Sequence, residues 1–160
     1  MKVLIAEDDP GSRLLLAAAI EKLGHECIAA EDGDAAAALY AQLHPEVVIT
    51  DLSMPGLDGS DVVRGIRSAP DAPYAYVLVL TAQAGEAQAR AAMEAGADDL
   101  VIKPLEPAGL ERKLIAAQRV TELHRRMHSD ARQDTLTNRS PRSGDCSHSP
   151  NSSRSSVVKA

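Results

Sequence analysis

The sequence predicts an α/β fold: a doubly wound, five-stranded parallel sheet with helices on both faces. Three observations predict it. Short, almost uninterrupted apolar runs recur at residues 3–6, 47–50 and 76–81, as in strands buried on both faces. Stretches with apolar residues at helical spacing separate them, each long enough for a crossover. Strand and helix alternate five times along the chain, the order that makes neighbouring strands parallel.

Residues 3–6 form the first strand and run into Glu7, Asp8 and Asp9. Pro10 suits the first turn of a helix; Leu16, Ala19, Ile20 and Leu23 recur at helical spacing, and Gly24 closes it. Residues 25–30 make a more polar strand, at or near a sheet edge. Asp32, Gly33 and Asp34 turn the chain into an Ala-rich helix over 35–43, ended by His44 and Pro45. Val47, Val48, Ile49 and Thr50 form the third strand, which runs into Asp51. Pro55, Gly56 and Gly59 then describe a tight loop. A short helix carries Val62, Val63 and Ile66, and residues 68–73 break it. The fourth strand, 76–81, ends in the Thr81 hydroxyl. An Ala-rich helix over 85–95 stops at Gly96, and the last strand, 97–102, ends at Lys103 and Pro104. From Pro107 a long helix runs to about Met127.

Composition limits the function. Hydrophobic content of 44% supplies a core, but with no Phe and no Trp the core must be close-packed from small aliphatic side chains. A net charge of -6 argues against non-specific nucleic-acid binding, and no direct nucleic-acid contact is expected. Cys27 and Cys146 fit no metal or disulfide spacing, which points to a reducing, cytoplasmic home. No run has the length of a signal core or a membrane span.

In a parallel α/β sheet, chemistry sits just outside the carboxyl ends of the strands. Those ends carry Glu7 and Asp8, Asp51, Thr81 and Lys103. Crowded carboxylates raise one another's pKa unless a cation lies among them. An oxygen-only set suits a hard divalent ion such as Mg²⁺. Lys103 offers a point charge to a phosphoryl oxygen, and Thr81 a hydrogen bond to another. A carboxylate can itself be the nucleophile and form an acyl phosphate. A lone Asp at a strand end is more often a cap, and Asp9, just before Pro10, reads as one. Reactive side chains at four of five strand ends outweigh that bland reading. The set is expected to phosphorylate Asp51 with the help of Mg²⁺.

Ala6-Glu7-Asp8-Asp9, Asp51-Leu52-Ser53-Met54-Pro55-Gly56-Leu57-Asp58-Gly59, Leu80-Thr81-Ala82 and Ile102-Lys103-Pro104 occur in this order. Together they resemble the receiver domain of bacterial two-component response regulators, over residues 1–122. The resemblance implies a flavodoxin-like sheet of order 2-1-3-4-5. It implies a phosphorylation-dependent signalling switch rather than an enzyme with an external substrate. Asp51 accepts a phosphoryl group from a sensor histidine kinase or phosphotransfer protein. Glu7 and Asp8 form the acidic pair, with Asp8 and the Ser53 main-chain carbonyl on Mg²⁺. By the same resemblance Lys103 would contact the phosphoryl group, Thr81 would swing towards it, and the Lys103–Pro104 bond is a candidate for the cis isomer. One position departs from the pattern: Leu100 stands where the family usually has Tyr or Phe. Leu100 is either a simple filler or a sign of altered switching on the face of the fourth helix, last strand and last helix.

Residues 123–137 read as an extended helix or linker. Ala116, Val120, Leu123 and Met127 make a short coiled-coil-like seam, covered by the sheet before about residue 118 and free for a homodimer or a following domain beyond it. Residues 138–160 are Ser- and Arg-rich and are expected to be disordered. Asp134-Thr135-Leu136-Thr137-Asn138-Arg139 resembles the opening of GGDEF-type diguanylate cyclase domains, which suggests a cyclase-linked regulator lacking its output domain. An Mg²⁺-dependent aspartate-nucleophile phosphohydrolase of the haloacid-dehalogenase type is the alternative. It calls for a second Asp where Ser53 stands.

Overall fold

The computed structural model describes residues 1–82 and 86–137, the side chains of 133–137 excepted. The region expected to be disordered, 138–160, lies outside the described residues. The strands are β1 (Lys2–Ala6), β2 (Glu26–Ala30), β3 (Val47–Asp51), β4 (Tyr76–Thr81) and β5 (Asp99–Ile102). They form one parallel sheet of order β2-β1-β3-β4-β5, as expected. The helices are α1 (Pro10–Lys22), α2 (Gly33–Leu43), α3 (Gly59–Arg67), α4 (Glu86–Ala95) and α5 (Pro107–Thr137).

Local chemistry sets where the first three helices begin. Asp9, Asp32 and Asp58 each accept a hydrogen bond from the backbone N–H three residues on, at Ser12, Ala35 and Asp61. Asp9 is therefore the cap that the sequence suggested.

Alternate strand residues feed two cores, because successive side chains point to opposite faces. Leu4, Val48, Val77 and Val79 pack with Ala36, Val63, Ile66 and Ala92 of α2, α3 and α4. Val3, Ile5, Ile49 and Leu78 pack with Ile20 of α1 and Leu110, Leu114 and Ala117 of α5. Ala36, Ala92 and Ala117 are fully buried, as a core without Phe or Trp requires. Leu100 is half-buried and packs against the first of these cores.

The structure differs from the sequence reading in three places. The last strand starts at Asp99, not residue 97, because the Ala97 amide bonds back to Ala92 and closes α4. The last helix continues ten residues past Met127, to Thr137. The sheet-facing side of α5 also extends past residue 118. Thr121 is buried and Val120 packs on the domain's own core, which leaves Leu123 and Met127 as the exposed large side chains of the seam. Beyond the sheet, α5 meets the loop before β4, where Tyr74 stacks on His124. Among the described residues, no helix is long and apolar enough to cross a membrane.

Candidate functional site

Register brings the strand ends level. Ala6 pairs with Thr50, Asp51 with Leu80, and Thr81 with Ile102. Side chains just past these pairs therefore meet at one edge. The Lys103 amide donates to the Thr81 carbonyl at 2.8 Å, tying the last two strand ends together. The loop after Asp51 is held against two helix starts. A Cβ at Gly59 would lie 2.4 Å from the Asp51 carbonyl oxygen, and one at Gly33 would lie 2.2 Å from that of Leu57. Only glycine permits backbone approach that close.

Asp51 sits at the centre, 7% exposed, and Glu7 beside it is 2% exposed. The Lys103 ammonium donates to Glu7 Oε2 at 2.6 Å and to Asp51 Oδ2 at 2.7 Å. The Ser53 amide donates to Asp51 Oδ1 at 3.1 Å, so both oxygens of the carboxylate are oriented. Asp8 is exposed, yet carboxylate oxygens of Glu7, Asp8 and Asp51 all lie within 4.8 Å of one another. Thr81 is buried at the end of β4. The Lys103–Pro104 bond is cis. The structure thus brings together Glu7, Asp8, Asp51, Thr81 and Lys103, with Ser53 held at the rim.

Burial pushes the Glu7 carboxyl above its ordinary value, and the Asp51 charge adds to it; bonds from Lys103 and the Asp9 amide oppose that shift without cancelling it. Burial pulls the Lys103 ammonium down, but its hydrogen bonds to Asp51 and Glu7 outweigh that and hold it above the ordinary lysine value. One ammonium faces three carboxylates, so ionised acids leave an excess of negative charge. All the converging donors are hard oxygens. That donor set fits a divalent cation of the Mg²⁺ type.

The sequence reading missed two contributors. One is the Ser53 amide. The other is Arg13, whose Nη1 donates to the main-chain carbonyls of Glu7 at 2.7 Å and Asp8 at 3.3 Å. A cation one turn into the helix that follows an acidic run was the available signal.

Fold and site together define a class: a doubly wound α/β domain with an acidic, oxygen-lined pocket around one buried aspartate and one lysine. Comparison with known proteins gives the family. Residues 3–115 match the response regulator receiver domain, and the chain belongs to that family. It is 39% identical over 120 residues to a probable transcriptional regulator, ycf27, of Guillardia theta, covering 75% of this chain and 46% of that one. It resembles the solved chemotaxis protein CheY4 of Vibrio cholerae with a TM-score of 0.68 and 26% identity, over 72% of this chain and 97% of the other. A receiver domain protein of Clostridium thermocellum gives 0.71 and 27%, over 76% and 97%. The chain spans about half the length of the curated relatives it matches. The family match lends the phosphohydrolase alternative no support.

Proposed function

We propose that this chain is a phosphorylation-controlled switch of a two-component system, with Asp51 as its phosphoacceptor. The observation that carries the reading is the buried Asp51 carboxylate, held between Lys103 at 2.7 Å and the oxygens of Glu7 and Asp8. In the reaction, an Asp51 oxygen attacks the phosphorus of a phosphohistidine on a sensor kinase or phosphotransfer protein. The O–P bond forms as the N–P bond breaks, and the imidazole nitrogen departs with the bonding pair. Lys103 neutralises a phosphoryl oxygen, and Thr81 closes on another. Glu7, Asp8, Asp51 and the Ser53 main-chain carbonyl would hold Mg²⁺, which when bound offsets the charge that carboxylates and phosphoryl oxygens bring together.

This is not metabolic catalysis, because the chain itself is the product. The cyclase-like opening at Asp134 remains part of the proposal only as a mark of ancestry. Residues 134–137 continue α5, and Asn138 and Arg139 lie outside the described residues.

The test is labelling with Mg²⁺ and acetyl phosphate. Wild type is expected to gain an acid-stable, base-labile phosphoryl group, and Asp51→Asn to gain none. Equal label in both proteins removes Asp51 from the role.

A further inference from the structure

Arg13 presents a physical problem. A permanent cation stands beside a pocket whose donors suit another cation. By charge alone it weakens divalent binding, since like charges repel even through a polar medium. Its placement therefore calls for a geometric reason.

The β1–α1 turn supplies one. Glu7 and Asp8 are consecutive, so both carboxylates reach one pocket only if the peptide units between them hold a single orientation. Three bonds hold the flanks. The Glu7 amide donates to the Ala30 carbonyl at 3.1 Å, the Asp9 amide donates to Glu7 Oε1 at 3.1 Å, and the Asp9 carboxylate caps α1 at Ser12. None of these engages the carbonyls of Glu7 and Asp8 themselves. Arg13 does, and one nitrogen reaches both. The Arg13 amide also bonds to the Asp9 carbonyl at 2.9 Å, so the guanidinium is anchored in the first turn of α1.

We infer that Arg13 is a positioning residue for the divalent site: its guanidinium bridges the Glu7 and Asp8 carbonyls and thereby fixes where the two carboxylates point. The inference rests on the reading of the acidic pocket as that site. In that reading Arg13 holds neither the phosphoryl group nor the ion. It acts through the peptide units behind the ligands, as outer partners of metal ligands do.

Charge and geometry predict opposite signs, and that makes the inference testable. Arg13→Met keeps the aliphatic stem and removes charge and donors. Mn²⁺ binding to the full chain is followed by electron paramagnetic resonance, with thermal melting alongside. Positioning predicts binding about tenfold weaker in Arg13→Met, the order seen when such outer partners are lost. Charge alone predicts binding as tight as wild type or tighter, and that result overturns the inference. Arg13→Lys keeps the charge but shortens the reach. It is expected to bind Mn²⁺ more weakly than wild type, and equal binding overturns the inference even if Arg13→Met does not fold. In acetyl phosphate labelling, Arg13→Met should need about tenfold more Mg²⁺ for half-saturation while its rate at saturating Mg²⁺ changes little. If wild type binds no Mn²⁺, the pocket reading fails and the inference falls with it. If wild type binds and the variants match it, only the inference falls.

Discussion

At the carboxyl edge of the sheet one ammonium, that of Lys103, faces the carboxylates of Glu7, Asp8 and Asp51. At the amino edge one guanidinium, that of Arg67, meets one carboxylate, Asp98, at 2.6 Å. Arg67 also donates to the carbonyls of Gly96 and Ala75, both at 2.8 Å. Asp98 accepts further from the Val77 amide at 2.7 Å and from the Tyr74 hydroxyl. Tyr74 in turn stacks on His124 of α5, with ring centroids 3.9 Å apart and planes 11° from parallel. The two edges use the same kinds of group with different balances. The Arg67–Asp98 cluster at the amino edge is charge-matched and hydrogen-bonded, the arrangement that rigidifies a fold. Among the described residues, the carboxylates of the carboxyl edge outnumber the ammonium that meets them, and a bound cation would relieve that surplus. Stability and function are thus assigned to opposite ends of the strands.

The largest effect expected from that division comes from Arg67→Ala. It strands the Asp98 carboxylate and should cost about 3 kcal/mol in urea unfolding. Phosphoryl labelling of Asp51 should survive in the fraction that remains folded. Loss of labelling in folded protein would mean that the two edges are coupled.

His124→Ala removes one ring of the stack and should cost about 1 kcal/mol. Hydrogen exchange should then quicken in the α5 backbone around residue 124 and stay unchanged at the carboxyl edge. Unchanged exchange in α5 would show that the stack does not hold the extension down.

The smallest effect, and the one of opposite sign, belongs to Glu7→Gln. The Glu7 pKa is raised in the folded state, chiefly by burial. Such a carboxyl contributes its stability in full below its unfolded value near 4.5, and that contribution is lost as pH rises through the folded pKa. At pH 7 in chelator, ionised Glu7 therefore works against folding. Glu7→Gln should melt slightly higher than wild type there, with the gap closing towards pH 4. Added Mg²⁺ should raise wild type more than the variant. A lower melting point for Glu7→Gln at pH 7 in chelator would show that the carboxyl edge is as charge-matched as the amino edge.

The two edges also differ in how legible they were. Lys103 and Asp51 are 52 residues apart, yet their meeting could be read from the chain. Each follows a strand, and parallel strands bring all their carboxyl ends to one side. Arg67 and Asp98 are 31 residues apart, and nothing in the sequence paired them. They sit at a helix end and in a loop, where no period fixes the direction of a side chain. Tyr74 lies between the break at 68–73 and β4, where no period fixes its direction either. Arg13 offered a weaker cue, its place one turn into the helix after an acidic run, because it bonds to carbonyl groups and backbone acceptors carry no sequence signal of their own.

By itself, then, the sequence determined the order of elements, the parallel sheet, the small-residue core, the Asp9 cap and the set of candidate side chains at the carboxyl edge. Each of these follows from periodicity or from a residue's own backbone preference, which are local properties. Tertiary structure alone decided which edge is charge-matched, that α5 stays attached past the sheet through His124, and that Arg13 lies behind the acidic pair. Those outcomes depend on where helix ends and loops come to rest, and packing between distant segments sets that.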